Sequence, residues 1–203
     1  MAKVGISINE VLRDTLSQID YTYSKYISGT ESTITKDEVV SFNLEEYFKF
    51  ESKKELNSFL YDEASLEIFG HADQMFENLM TKLNMFLVDI EEEEEHTIEL
   101  VSREFLKSIP STLFFLSKLG SRATNIRFVK QNEEEWDGVD VLITANPIAL
   151  KNKPMDKISV KINAPYNSDC KGDFEFDSIL DFIKDETLRT KILNTKITTQ
   201  EQL

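Results

Sequence analysis

The chain has 203 residues and a formal net charge of −14, with 37 Asp and Glu against 23 Lys and Arg. Phosphate backbones and anionic lipid are held by clustered Lys and Arg, so this balance excludes direct nucleic-acid binding as the main activity and disfavours a membrane surface. Forty per cent apolar residues, with 14 Phe, are enough for the core of one ordinary domain, while a lone Cys170 excludes an internal disulfide framework and a cysteine-based zinc site.

In chain order, Val4–Ile8 is a short β-prone run. From Val11 the apolar residues Val11, Leu12, Leu16, Ile19, Tyr23 and Tyr26 fall at helical spacing until Ser28-Gly29. A strand feeding a helix opens an α/β unit. Residues 30–75 lack strand-like runs. Seven of the 14 Phe lie between Phe42 and Phe86, and the spacing of Leu44, Tyr47 and Phe48, or of Leu56, Phe59 and Leu60, predicts short amphipathic helices in a small insertion with a core of its own. A further helix is predicted from His71 towards Leu87. The start, MAKVGISINEV, lacks a signal-peptide core, and no run approaches the ~18 apolar residues of a membrane helix, which predicts a soluble protein from a reducing compartment.

Alternation then resumes. Thr97–Val101 reads as a strand, followed by a helix from about Glu104 to Leu119 that either begins near Pro110 or kinks there, with Gly120 as its stop. Asn125–Val129, Val139–Ile143 and Ile158–Ile162 are three more β-branched runs, Asp177–Ile183 a last helix, and residues 187–203 a Thr-rich, weakly basic tail read as extended. Strands alternating with helices predict an α/β three-layer sandwich with a mostly parallel sheet. Ligands of such sheets sit at the carboxyl ends of the strands.

At those ends three segments together resemble the haloacid dehalogenase-like (HAD) superfamily, most closely its 5′(3′)-deoxyribonucleotidase branch. VGISINEVLRD (residues 4–14) is similar to a first motif in which a strand ends in Asp-x-Asp-x-Val-Leu-x-Asp. IELVSRE (residues 98–104) is similar to a strand ending in Ser or Thr. VDVLITANPIAL, followed by KISVKINAPYN, resembles a fourth motif with an acidic pair and a last strand ending in Pro-Tyr-Asn. The resemblance implies a core of residues 1–27 and 76–186, a helical cap insertion at 28–75 and a tail at 187–203.

In the family the first Asp takes the phosphoryl group, the second is the acid/base, and the acidic pair holds Mg²⁺. Here those positions are Ser7, Asn9 and Thr144-Ala145, and only Ser102 keeps a residue of its motif type. The phosphate-binding Lys of the family has no match in QNEEEWDG, residues 131–138. The resemblance therefore implies a pseudoenzyme without a cofactor, whose vestigial positions Ser7, Asn9, Ser102, Thr144 and Ala145 either hydrogen-bond one another and cap a neighbouring helix or line a metal-free pocket. Asp14 matches an acidic motif position and reads as structural.

Other features point outward. Residues 86–104 carry a net −7, concentrated in Glu91, Glu92, Glu93, Glu94 and Glu95 before His96; they read as an acidic loop that faces solvent or a basic partner. Trp136, in a polar loop, is a candidate partner anchor or a packed loop residue. His71, His96 and Cys170 show no metal-ligand spacing. A kept fold without its catalytic groups implies use as a shape: an oligomeric assembly protein, its tail lying on the acidic face of another copy. The chain also resembles degenerate HAD-like proteins of tailed, crAss-like bacteriophages, which implies a virion ring or collar subunit with protein partners, and otherwise a cytoplasmic location. The alternative is an active or nucleotide-binding 5′-nucleotidase.

Overall fold

The computed structural model describes residues 2–29, 34, 38–93 and 96–194. Among them, six strands form one sheet: β1 (Ala2–Ser7), β2 (His96–Arg103), β3 (Ile126–Val129), β4 (Val141–Thr144), β5 (Ile158–Ile162) and β6 (Phe174–Phe176). Their order is β3-β2-β1-β4-β5-β6, and every neighbouring pair is parallel. The α/β class and the parallel sheet expected from the alternation are what the protein has.

Parallel strands are buried on both faces, and the two faces here differ in chemistry. Val4, Ile6, Val141, Ile143, Ile158 and Val160 share one cluster with Leu79, Leu83, Phe86 and Ile90 of the helix α3 (Leu79–Glu93) and with Phe182 of the helix α6 (Ile179–Lys184). The ring of Phe182 meets Phe86 edge-on at 6.1 Å and Phe176 at 5.7 Å. Alternate residues Gly5, Ser7, Glu99, Thr144, Ser159 and Lys161 are small or polar. That side is covered by a one-turn helix, Glu133–Trp136, and by the short helix α5 (Pro147–Lys151), packed around Trp136, Val139, Leu142 and Ala149.

Between β1 and α3 lie the helix α1 (Thr15–Tyr23), continued by a wider turn to Ser28, then a single turn at Leu44–Glu46, the helix α2 (Lys53–Ser58) and turns at Phe59–Glu63 and Leu66–Gly70. Phe48, Leu56, Phe59 and Leu60 belong to the same cluster as the sheet residues, so these segments extend the main core and have no separate one. The helix α4 (Ser108–Lys118) follows β2. It starts two residues before Pro110, which thus falls in the first turn, where a missing N–H costs least.

Several element boundaries differ from expectation. Val11 and Leu12 are buried in a loop and not in a helix. Glu10 has φ 60°, and the N–H groups of Leu12 and Arg13 both donate to the Ile8 carbonyl (both 3.0 Å), so the chain curls before α1 begins at Thr15. The helix expected from His71 begins at Leu79, after Asn78 (φ 60°). Glu91, Glu92 and Glu93 end α3 and are not a loop, while Glu94 and Glu95 lie outside the described residues. The three-residue strand β6 is too short to show in the pattern of the sequence.

The segment read as an extended tail is corrected over its first half. Glu186–Asn194 is a helix, α7, with Ile192 and Leu193 buried and Arg189 over the Phe86 ring at 5.3 Å. Its Leu188, Ile192 and Leu193 form an amphipathic stripe that packs on α6, leaving residues 195–203 outside the described part. No helix among the described residues is long and apolar enough to cross a membrane.

Candidate functional site

The strand order reverses direction at β1, which lies between β2 and β4, and a crevice opens there at the carboxyl ends. It is a cleft of ≈ 170 Å³. Ser7, Asn9, Ser102, Glu135, Asn146 and Tyr166 form its polar floor, and Leu16, Ile19, Val39, Phe42, Leu60 and Phe69 its apolar wall. Four of the five strand-end positions that the resemblance singles out, Ser7, Asn9, Ser102 and Thr144, converge here as two hydrogen-bonded pairs. Ser7 Oγ lies 2.8 Å from Thr144 Oγ1, and Asn9 Nδ2 donates to Ser102 Oγ at 3.2 Å. None of these four side chains caps a helix. Ala145 contributes its carbonyl, which accepts from Asn167 Nδ2 (2.9 Å).

Each pair is joined to a buried group absent from the expected set. The first is Glu135. The turn Glu133–Trp136 turns its carboxylate inward, and the residue is 4% exposed. Its Oε2 accepts from Ser7 (2.8 Å) and Thr144 (3.2 Å), and its Oε1 from Asn146 Nδ2 (2.7 Å). Asn146 is doubly used, since its Oδ1 also accepts from the Ile148 and Ala149 N–H groups and caps α5. Burial pushes the Glu135 carboxyl above the ordinary glutamate range, against the opposing pull of the three donors and of Arg127. Arg127 pins the turn by donating to the carbonyls of Glu134 (2.7 Å) and Glu135 (3.1 Å).

A folded pKa above the unfolded one means that the folded state holds the proton more tightly, so this group's contribution falls as pH climbs from the unfolded value through the folded one. Glu135→Gln removes the titration. The stability of Glu135→Gln relative to wild type should therefore rise between pH 4 and pH 7, by about 1.4 kcal/mol for every tenfold by which folding tightens the proton, in urea titrations across that range. A difference, variant minus wild type, that stays constant or falls with rising pH would contradict the buried carboxylate.

The second buried group is an ion pair. Arg13 and Glu104 have fully buried side chains and bond through Nη2 and Oε1. Nη2 also donates to Asn9 Oδ1 (2.5 Å), Nη1 to Thr112 Oγ1 (2.5 Å) and the Phe69 carbonyl (2.9 Å), and Nε to Thr15 Oγ1 (3.2 Å). Glu104 accepts from Ser102 (2.8 Å) and from Thr112. The guanidinium is sandwiched 4.9 Å from the Phe69 ring and 5.3 Å from the Phe115 ring. One residue thus fastens the β1 loop to β2, α4 and the Leu66–Gly70 turn.

The remaining sequence candidates lie elsewhere. Asp14 N-caps α1, its carboxylate accepting from Ser17 N at 3.4 Å. Trp136 corrects the partner-anchor expectation: it is 3% exposed and donates from Nε1 to the Ala149 carbonyl (2.8 Å), which makes it the centre of the smaller core. Its neighbours in sequence are polar because the turn is exposed, while the ring points under the sheet. His96 accepts from Ala2 N (3.2 Å), His71 packs against Phe114, and Cys170 is buried, its thiol raised by desolvation. No group of three or more His, Cys, Asp and Glu among the described residues is placed to hold a metal. The side chains of Glu91, Glu92 and Glu93 also lie outside what is described.

Mg²⁺ is the ion that the resemblance implies, and the donor set does not fit it. A hard, small dication needs near-octahedral oxygen ligation with one or two free carboxylates. The carboxylate at the crevice that comes nearest to Ser7 has both oxygens taken by hydroxyl and amide donors, and Ala145 offers no side-chain oxygen.

No family model and no curated protein matches the chain. Among solved structures it is similar to the crystal structure of a dehalogenase with an intermediate complex, at 12% identity and a TM-score of 0.47, over 89% of this chain and 95% of that one.

Proposed function

We propose that this chain is a HAD-like protein without phosphoryl-transfer activity, used as a structural or assembly subunit. The observation that carries the reading is the state of Ser7, Asn9 and Thr144. Each is committed to a buried network built around Glu135 or Arg13, and none of the three is a carboxylate that could attack phosphorus or hold a metal. A carboxylate also stands in the stretch where the resemblance puts a phosphate-binding lysine, and it repels a phosphate dianion. The family resemblance to degenerate phage proteins supports a ring or collar subunit of a virion with protein partners, and the −14 charge supports solubility and repulsion from nucleic acid.

A second reading has one observation in its favour. Ser7 Oγ lies 2.8 Å from a carboxylate whose proton affinity is raised, the geometry of a nucleophile beside a base, as an active phosphatase with substituted residues would need. Mononucleotide hydrolysis with Mg²⁺ separates the two. Release of phosphate at the level of a buffer blank is the expected result, and turnover abolished by Ser7→Ala would establish the second reading.

A further inference from the structure

The cleft is not closed by its own network. Tyr166 lines it, is 6% exposed, and its phenol oxygen is buried without a hydrogen-bond partner among the described residues. An orphaned buried hydroxyl is costly and is kept where something else satisfies it. Its surroundings are acidic: Glu10 and Glu135 line the same cleft, and Glu10, Asp14 and Glu135 all act electrostatically on the phenol. The cation among the lining residues, Arg103, is occupied by the Lys130 carbonyl (3.1 Å) and Tyr61 Oη (3.2 Å). The Tyr166 ring lies 5.5 Å from Phe42, and the rest of the wall is aliphatic or aromatic.

We propose that this cleft binds a small organic cation, a primary amine on an apolar or aromatic body, with its ammonium at Tyr166 Oη on the Glu135 side and its body against Phe42, Leu16 and Leu60. The phenol oxygen accepts from an N–H⁺ donor, the carboxylates supply charge, and the aromatic faces favour a cation over an anion. In a partly desolvated cleft the same field excludes phosphate esters. The inference rests on the non-catalytic reading in one respect: the cleft binds without turnover.

Three probes sharing an aromatic body test it by calorimetry on the full chain: 2-phenylethylamine, 2-phenylethanol and phenyl phosphate. The amine should bind saturably at millimolar or lower concentration, at least ten-fold tighter than the alcohol, with no heat from the phosphate. Tyr166→Phe should weaken the amine by about ten-fold, the equivalent of one charge-assisted hydrogen bond. Because the hydroxyl has no partner among the described residues, that variant keeps its fold and its melting temperature, which a thermal scan checks. No saturable amine binding, equal binding of the alcohol, binding of the phosphate, or an unaltered Tyr166→Phe affinity would each overturn the proposal. Hydrolysis of phenyl phosphate would instead overturn the non-catalytic reading, so the two failures are distinct.

Discussion

Arg13→Met should be the most damaging single substitution at the strand ends, lowering the unfolding free energy by about 3–5 kcal/mol in urea. The cost comes from what stays behind. Methionine fills most of the stem volume, so the cavity term is small, but Glu104 remains fully buried with two hydroxyl donors and no cation. Asn9 Oδ1 and the Phe69 carbonyl lose their guanidinium donors in the same step. With a total stability of ~5–15 kcal/mol for an ordinary domain, the variant would sit near the edge of folding and is best measured in the cold.

Coupling distinguishes this account from simple loss of packing. Arg13→Met combined with Glu104→Gln removes the stranded charge, so the double variant should be less destabilised than the sum of the single ones by more than about 1 kcal/mol. Additive losses would show that the pair is not an electrostatic unit. The exposed pair Lys151–Asp169, with side chains 57% and 66% exposed at 2.7 Å, is the contrast, and Lys151→Ala should change stability by less than about 1 kcal/mol. Burial decides between these two cases, since the distances alone are alike.

Arg13 also shows where sequence reasoning stops. The run VLRD has the pattern of the start of an amphipathic helix, and on a helix beginning at Val11 an arginine two residues later belongs to the solvent side. The positive φ at Glu10 breaks that helix, and the loop turns Arg13 inward. The signal is present in part: a charged residue directly after two β-branched or aliphatic ones. Its partner Glu104 lies 91 residues on, and pairing at that distance leaves no local pattern.

Glu135 is hidden differently. In QNEEEWDG three glutamates look alike, and which one turns inward is fixed by Arg127 holding two carbonyls of the turn and by Trp136 filling the space under β4. By contrast, five of the six described strands are legible because their runs are rich in β-branched residues; Ile158–Ile162 has in the fold the bounds that its pattern predicts. The convergence of Ser7, Asn9, Ser102 and Thr144 is legible too, since parallel strands place their carboxyl ends together. Tyr166 sits in the Pro-Tyr-Asn run, yet only coordinates reveal that its hydroxyl lacks a partner among the described residues while Asn167 beside it makes three side-chain bonds. For α7 the Thr and Asn content masks a stripe of Leu188, Ile192 and Leu193 at helical spacing.

The same network predicts that placing an aspartate at Ser7, as in the motif that residues 4–14 resemble, will harm this protein. Ser7 is 5% exposed and its oxygen is 2.8 Å from Glu135, so Ser7→Asp sets two carboxylates against each other in a buried site with no fitting metal. At an effective dielectric of ~20 two like charges ~4 Å apart repel by about 4 kcal/mol, and one of them must keep a proton. Stability at pH 7 should therefore fall by about 3–4 kcal/mol. The pair's folded pKa is raised above the unfolded one, so the penalty is largest above it and shrinks as pH falls towards 4, where folded and unfolded chains both hold protons. Ser7→Asp with Glu135→Gln removes the repulsion and lets an amide donate to the new carboxylate, so most of the loss should return. Urea titrations of the two variants at pH 4 and pH 7 check this; a stable Ser7→Asp chain, or a double variant no better than it, would contradict it. If the result is as expected, the serine and Glu135 are mutually dependent, and a carboxylate nucleophile is compatible with this fold only after Glu135 has been replaced.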